Sequence, residues 1–82
     1  MVGMILRNIR KLSKLRQIDI ADKLKVAENT ISNYETEYSN ITFETAINFI
    51  QGCNFDMQLI NKEDGKVYSV NELGTIDKRL YE

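Results

Sequence analysis

Apolar side chains recur every three or four positions from residue 2 to residue 53, which is the spacing of one face of an α-helix. The pattern predicts helix 1 over about 2–14, helix 2 over about 17–24, helix 3 from about 28, and helix 4 from 43 to about 53. The side chains expected to face the core are Ile5, Leu6, Ile9 and Leu12 in helix 1, Ile20, Ala21 and Leu24 in helix 2, Ile31 and Tyr34 in helix 3, and Phe43, Ala46, Ile47, Phe49 and Ile50 in helix 4.

The junction between helices 2 and 3 is short, because only Lys25, Val26 and Ala27 separate them. Two short helices joined by so tight a turn describe a helix-turn-helix. Before helix 4, Thr42 is expected to be the N-cap, since its hydroxyl can accept a hydrogen bond from a backbone N–H of the first turn. The C-terminal cap of helix 4 is predicted at Asn54, a residue type that tolerates the left-handed conformation.

The hydrophobic period changes from 3.6 to 2 after residue 54. Alternation over residues 55–60, turn chemistry at 62–65 and a second alternating run over 66–70 predict a β-hairpin. Residues 71–82 have weak periodicity, so they are expected to be either a short helix or a frayed end. The chain is thus predicted to be mainly α-helical, with a helix-turn-helix domain over 1–56 and a C-terminal hairpin and tail over 57–82.

The net charge of −1 hides a strong segregation of charge along the chain. Residues 1–25 hold seven basic and two acidic side chains, whereas residues 26–61 hold five acidic and no basic ones. One face of the molecule is therefore expected to attract phosphate groups, although the chain as a whole is slightly acidic.

The composition argues against several kinds of site. The chain has no histidine and one cysteine, so neither an intrachain disulfide nor a metal centre is expected, and Cys53 is interpreted as a packing residue. No nucleophile and base pair or phosphate loop is recognisable, so we expect no enzymatic activity and no cofactor.

We expect a cytoplasmic protein without a membrane partner, because no apolar run approaches membrane-spanning length and the N-terminus does not resemble a signal peptide. An alternative partner for the basic side of helix 1 is an anionic membrane surface. Its apolar side is expected to pack in the core, however, which leaves nothing to insert into a bilayer.

The segment RKLSKLRQIDIADKLKVAENTISNYE resembles the helix-turn-helix of the phage Cro and repressor type, also called the xenobiotic-response-element family, over roughly residues 5–56. The matching positions are Arg10, Gln17, Ala21, Leu24, Val26, Ile31 and Glu35. Two positions depart from the family pattern: Lys25 stands in the turn where glycine is usual, and Glu28 opens helix 3 where a basic or glutamine side chain is frequent. The resemblance implies a lambda-repressor-like DNA-binding domain of four to five helices.

The resemblance also implies that helix 3 lies in the major groove of DNA, with its N-terminal residues against base edges, while helix 2 crosses the backbone. The expected base contacts are Ala27, Glu28, Asn29 and Asn33. The expected phosphate contacts are Lys11, Lys14, Arg16, Gln17, Thr30, Tyr38, Ser39 and Asn40. Arg10 and Glu35 are expected to form a structural ion pair between helices 1 and 3.

Three of the base-contact assignments have competing interpretations. Asn29 and Asn33 lie one helical turn apart, and an amide can bond bidentately to adenine, but solvated polar positions would look the same. Glu28 could accept a hydrogen bond from cytosine, or it could simply favour the positive end of helix 3 as a first-turn acid.

The hairpin has a possible role in assembly, because a two-stranded ribbon alone is marginal in water. Some Cro-like repressors and helix-turn-helix antitoxins resemble an arrangement in which a C-terminal strand builds a dimer. The expected dimer interface is Met57, Leu59, Val67 and Tyr68. The alternative is that the hairpin packs on its own domain. A two-fold homodimer would bind a palindromic operator in double-stranded DNA.

The sequence therefore predicts a sequence-specific DNA-binding transcriptional regulator, specifically a dimeric repressor of phage, mobile-element or antitoxin type. The alternative is a protein-interaction module that keeps the helix-turn-helix scaffold but binds a protein partner. The feature that favours this alternative is the absence of any basic side chain from residue 26 to residue 61.

Overall fold

Five helices and a two-stranded antiparallel hairpin form residues 1–75, the part of the chain that the computed structural model describes. In chain order the elements are α1 (Val2–Leu12), α2 (Gln17–Leu24), α3 (Glu28–Glu35), α4 (Phe43–Gly52), β1 (Gln58–Ile60), β2 (Val67–Ser69) and α5 (Val70–Leu73). The prediction of a mainly α fold with a C-terminal hairpin is confirmed. Of the predicted tail, residues 76–82 lie outside the described residues.

Helices α1 to α4 enclose a single hydrophobic core. Its buried side chains are Leu6, Ile20, Ala21, Ile31, Phe49, Ile50 and Cys53. Burial raises the pKa of the Cys53 thiol, so at neutral pH the side chain is a neutral packing group and not a reactive thiolate. The core therefore draws on all four helices, and it fixes α3 against its neighbours.

The buried side of α1 differs from the predicted one. Ile5 and Leu12 are 43% and 72% exposed, and the buried positions are Gly3, Leu6 and Arg10. A Cβ atom at Gly3 would clash with the backbone carbonyl oxygens at the end of α3, so glycine permits a close approach there. This contact, together with the burial of Arg10, rotates α1 so that Ile5 and Leu12 face outward, whereas Leu6 is buried and Ile9 packs against the core as predicted.

Four helix ends turn through a left-handed residue that is not glycine: Lys14 (φ 59°), Lys25 (φ 57°), Glu37 (φ 61°) and Asn54 (φ 63°). At Lys14, Lys25 and Asn54, the N–H groups of the left-handed residue and of the next residue bond back to helix carbonyls, which is the Schellman motif. Lys14 in this conformation ends α1 at Leu12, earlier than the predicted residue 14. Asn54 adopts the conformation predicted for the cap of α4.

The start of α4 is capped by Thr42, whose hydroxyl oxygen accepts a hydrogen bond from the Thr45 N–H at 3.1 Å. Phe43, the first residue of the helix, was predicted to face the core but is exposed. It lies in the first turn and lines an apolar pocket with residues of the hairpin, and Ala46 is the first buried residue of α4.

The hairpin pairs Gln58 with Ser69, Leu59 with Tyr68 and Ile60 with Val67. Since paired residues share a face and faces alternate along a strand, Leu59 and Tyr68 lie on one side of the hairpin and Ile60 and Val67 on the other. Met57 packs against the core, and its carbonyl accepts a hydrogen bond from Val70 N–H at 2.9 Å. The four residues predicted for a dimer interface thus do not share a single free face.

Candidate nucleic-acid interface

The turn between α2 and α3 directs the first residues of α3 toward solvent. Lys25 supplies the left-handed bend, and the Val26 N–H bonds to the Ala21 carbonyl at 3.0 Å. Of the predicted base contacts, Ala27, Glu28 and Asn29 are exposed, and Asn33 is half-buried. Ile31 and Glu35 face inward from the same helix. Core packing of these two residues therefore holds α3 while its N-terminal side chains stay accessible.

A buried ion pair joins α1 to α3. Arg10 Nε donates to Glu35 Oε2 at 2.6 Å, and Arg10 Nη2 donates to Glu35 Oε1 at 3.0 Å. The hydrogen bonds with Glu35 raise the pKa of Arg10 above its usual value, against the opposing effect of burial. Such a two-point contact fixes the orientation of both side chains, so it sets the position of α3 relative to α1.

Gln17, the first residue of α2, connects the second helix to the same pair. Its Nε2 donates to Glu35 Oε1 at 3.2 Å, and the third donor of Arg10, Nη1, bonds to the Leu15 carbonyl at 2.9 Å. The start of α2 is therefore tied to α1 and α3 through Glu35. The backbone N–H groups of this first turn remain an anion-attracting helix end.

Arg16, predicted to bind phosphate, is paired within the protein. Its Nη2 donates to Asp19 Oδ1 at 3.0 Å, and its backbone N–H donates to Asp19 Oδ2 at 2.8 Å. The hydrogen bonds from Arg16 hold the pKa of Asp19 below its usual value, and those to Asp19 raise the pKa of Arg16. Because Asp19 stays ionised at neutral pH, it offsets much of the positive charge that Arg16 would offer to a phosphate.

An open cleft of about 480 Å³ lies where α1, the start of α2 and α3 meet. Its walls carry four basic and two acidic side chains: Arg7, Arg10, Lys11, Leu15, Arg16, Gln17, Glu28, Glu35 and Thr36. We call this cleft the basic cleft. Since Glu28 opens α3, the cations of α1 lie next to the exposed start of that helix.

Arg7 is the member of the basic cleft that sequence reasoning missed. It precedes Lys11 by one helical turn, and that spacing puts both on one side of α1. Among residues 1–75, neither Arg7 nor Lys11 forms an ion pair, so both cations are available to an anion. The i, i+4 spacing of these two bases was a signal that could have identified Arg7.

The remaining predicted phosphate contacts lie at two other places. Lys14 is exposed at the end of α1, and Thr30 is half-buried on α3. Tyr38 and Asn40 are exposed in the loop after α3, and Ser39 there is half-buried. Next to them, the N-terminal ammonium of Met1 binds Glu37 Oε2 at 2.8 Å, and it compensates the negative charge that Glu37 brings to that loop.

Other kinds of site find no support in the described residues. Within residues 1–75, no three His, Cys, Asp or Glu side chains lie close enough together to hold a metal ion. None of the helices in this part of the chain has the length and apolar character needed to cross a membrane.

The chain matches a known protein family. A family model described as helix-turn-helix, of the Cro and repressor type, matches residues 6–60 of this chain. Comparison with curated proteins and comparison with solved structures gave no match. The matched segment runs from the buried part of α1 to the end of β1, so it includes the basic cleft and the whole of α3.

Proposed function

Because this chain belongs to the helix-turn-helix family of Cro and repressor type, whose domains are DNA-binding regulators and not enzymes, we propose that it is a sequence-specific repressor that binds a palindromic operator as a homodimer. The observation that carries the proposal is the position of the basic cleft. Arg7 and Lys11, which form no ion pair within residues 1–75, lie beside the exposed first turn of α3.

In this proposal, phosphate binding and base recognition are assigned to different helices. Arg7 and Lys11 on α1 and the N-terminal end of α2 bind phosphates, which gives affinity without sequence preference. Glu28, Asn29 and Asn33 on α3 read base edges, because carboxylate and amide groups match the hydrogen-bonding patterns of cytosine and adenine. A reading helix without basic side chains is consistent with this division, since its neighbours supply the positive charge.

The division of roles is tested by comparing two substitutions. Asn33→Ala should reduce discrimination at one base pair by about 1 to 3 kcal/mol and leave binding to other sequences nearly unchanged. Arg7→Ala should weaken binding to all sequences alike and lower the slope of log affinity against log salt by about one phosphate. Binding would be measured by fluorescence anisotropy on sites selected from a random duplex pool.

Lys62→Ala is the matched control, because Lys62 is an exposed base in the hairpin turn, away from the basic cleft. It should leave both affinity and salt slope unchanged. Equal effects of Arg7→Ala and Lys62→Ala would mean that the basic cleft does not bind phosphate. An Asn33→Ala variant with wild-type base preference would remove Asn33 from the reading surface.

The dimer is assigned to the hairpin. Ile60 and Val67 form an exposed apolar pair, 66% and 49% accessible, and the outer edges of β1 and β2 have no strand partner within the described residues. Pairing with a second copy would cover these side chains and remove a free strand edge. Of the predicted interface, Val67 lies on this face, Leu59 and Tyr68 lie on the opposite face, and Met57 contributes to the core of its own subunit.

Sedimentation velocity at micromolar concentration tests the dimer. The wild-type chain is expected to sediment as a dimer, and the double variant Ile60→Lys, Val67→Lys as a monomer. Glu63→Lys, in the exposed turn of the same hairpin, is the control and should leave the mass unchanged. A wild-type monomer at all concentrations would eliminate the dimer and, with it, the expectation of a palindromic operator.

Docking of a protein partner in place of DNA is the second candidate function. It is favoured by the pairing of Arg16 with Asp19 and by the absence of basic side chains between residues 26 and 61. Random duplex DNA at low salt separates the two functions. A steeply salt-dependent shift supports DNA binding, and the absence of any shift supports the protein-docking module.

A further inference from the structure

One side of α1 is apolar and faces solvent. Its exposed side chains are Met1, Met4, Ile5 and Leu12. Positions 1, 5, 8 and 12 are three or four residues apart, so they share the side of the helix opposite the buried Leu6 and Arg10. We call this surface, with the exposed Asn8 in its middle, the α1 strip.

One flank of the α1 strip is cationic. Arg7 and Lys11 lie along that flank, and both line the basic cleft. The helix, VGMILRNIRKL, has no acidic side chain, and within residues 1–75 neither base forms an ion pair. The α1 strip thus combines an apolar surface with unpaired positive charge on a single flank.

We infer that the α1 strip docks an amphipathic helix of a partner protein, with an apolar stripe bordered by Asp or Glu side chains. Methionine and other flexible apolar residues are enriched where proteins bind helices of varied shape. The partner's apolar stripe covers Met4, Ile5 and Leu12, and its carboxylates pair with Arg7 and Lys11. Charge complementarity therefore identifies the chemistry of the occupant.

A second copy of this chain fits the α1 strip less well. Another α1 would bring two further cations and no carboxylate, so Arg7 and Lys11 would gain no opposite charge from the contact. An acidic helix brings the charge that α1 lacks.

A lipid bilayer also fits less well, despite the basic flank. Asn8 lies within the apolar surface, between Ile5 and Leu12. Placing its amide in the acyl region would leave the hydrogen-bonding groups without partners, which is costly. A partner helix can supply a polar side chain at that position, whereas lipid tails cannot.

Docking at the α1 strip has a consequence that rests on the proposed function. The same Arg7 and Lys11 that pair with the partner's carboxylates are the cations assigned to DNA phosphates. An acidic partner and DNA would then compete for α1, and partner binding would release the operator. The docking itself does not depend on DNA binding.

The docking is tested with a synthetic helical peptide of about five turns, roughly 18 residues, that carries leucine at three- and four-residue spacing and glutamate along both borders. A second peptide has lysine in place of each glutamate, and a third has the composition of the first in scrambled order. Each is titrated into the ¹⁵N-labelled full-length chain, and chemical-shift changes are mapped along α1. The acidic amphipathic peptide is expected to bind at least about tenfold more tightly than either of the others.

Substitutions locate the contact. Met4→Ser with Leu12→Ser should weaken binding of the acidic peptide by about tenfold, because both side chains lose apolar contact. Phe43→Ser is the matched control, since Phe43 is an equally exposed apolar residue on α4. Both are surface changes, and circular dichroism is expected to show an unaltered fold.

The outcomes separate the occupants. Shifts confined to α1 that depend on Met4, Leu12 and the peptide's glutamates support the inference. Peptide binding that is unchanged by these substitutions overturns the inference, and so does the absence of any peptide binding. Binding of α1 to vesicles with phosphatidylglycerol but not to the peptide overturns it in favour of lipid, and loss of self-association in the Met4, Leu12 variant overturns it in favour of a second copy.

DNA binding of the same variant distinguishes failure here from failure of the proposed function. Met4→Ser with Leu12→Ser should retain wild-type affinity for duplex DNA, because neither residue lines the basic cleft. If the chain binds the peptide but no DNA, the repressor proposal fails and the docking stands. If it binds DNA but no peptide, the reverse holds.

Discussion

The helical part of the molecule, α1 to α4, and the hairpin unit, β1 to α5, use their apolar side chains in opposite ways. Leu6, Ile20, Ile31 and Phe49 in the helical part are fully buried. In the hairpin unit the larger apolar side chains remain accessible: Leu59, Ile60, Val67 and Leu73. The first region obtains its stability from its own core, whereas the second has apolar surface that only another molecule or the rest of the chain can cover.

The two regions are joined by few contacts. Met57 packs against the core, Val70 N–H bonds to the Met57 carbonyl, and Gln51 Nε2 donates to Asn71 Oδ1 at 3.0 Å. The helical part is therefore expected to fold and to hold α3 whether or not the hairpin is covered. The hairpin is then free to serve assembly, where association and not folding supplies the burial.

The largest expected effect is a loss of stability in the helical part. Phe49→Ala removes a ring at the centre of the core and should lower the free energy of unfolding by about 3 to 5 kcal/mol. Leu59→Ala, in the half-exposed hairpin, should lower it by less than about 1 kcal/mol. Urea unfolding at a fixed protein concentration measures both, because dimerisation would add a concentration-dependent term. Equal losses would contradict the difference between the two regions.

The next effect comes from the buried ion pair. Glu35→Ala leaves Arg10, a residue only 8% exposed, without its carboxylate partner and should cost about 3 kcal/mol of unfolding free energy. Gln17 loses its partner in the same variant, so the start of α2 should also loosen. Hydrogen exchange of the α2 amides would report this.

Arg16→Ala is the comparison for Glu35→Ala, because it removes an ion pair at the surface and keeps the hydrogen bond from the backbone N–H of residue 16 to Asp19. Exposed pairs are screened by solvent, so its effect on stability should be much smaller. A loss of stability as large as that of Glu35→Ala would mean that burial does not determine how much an ion pair contributes to the stability of this fold.

Much of the helical part was predictable because local signals agreed with the tertiary packing. The bounds of α2, the three-residue turn and the capped start of α4 all follow from hydrophobic period and cap chemistry. The face of α1 was not predictable in this way. Two stripes fit helical spacing, one with Ile5 and Leu12 and one with Gly3, Leu6 and Arg10, and a buried arginine looks polar until its partner on another helix is known.

In the candidate site, the contacts among Arg10, Gln17 and Glu35 were predictable from the sequence, whereas the pairing of the neighbouring charges was not. Family spacing pointed to Arg10, Gln17 and Glu35, which the structure brings into one hydrogen-bonded cluster. The pairing of Arg16 with Asp19 depends on side-chain geometry at the start of α2. The sequence alone led us to expect that Arg16 is free to bind phosphate. The hairpin faces depended likewise on strand register, which places Val67 beside Ile60 and away from Leu59.

A smaller effect is expected where the helical part ends. Ser13 Oγ donates to the Cys53 carbonyl at 2.6 Å, so it links the end of α1 to the last turn of α4. Ser13→Ala should cost about 1 kcal/mol, because the partly buried carbonyl loses its partner. Thr75→Ala, which removes an exposed local hydrogen bond to the Glu72 carbonyl, is the control and should be nearly neutral. Thermal unfolding of both variants checks whether this link stabilises the helical part.

The smallest expected effect is a gain in stability, and it distinguishes two left-handed residues. Lys25 has φ 57° in the turn before α3, a conformation that costs a residue with a Cβ atom about 1 kcal/mol. Lys25→Gly should therefore raise the free energy of unfolding by about 0.5 to 1 kcal/mol, less whatever entropy glycine adds to the unfolded chain. Asn54→Gly, with φ 63° at the boundary of the hairpin unit, should gain less stability, because asparagine already tolerates this region.

Lys25→Ala is the control that separates the effect of backbone strain from the effect of charge. It keeps a Cβ atom in the left-handed conformation and removes the ammonium group. A gain in Lys25→Ala as large as that in Lys25→Gly would attribute the effect to charge and not to the left-handed turn.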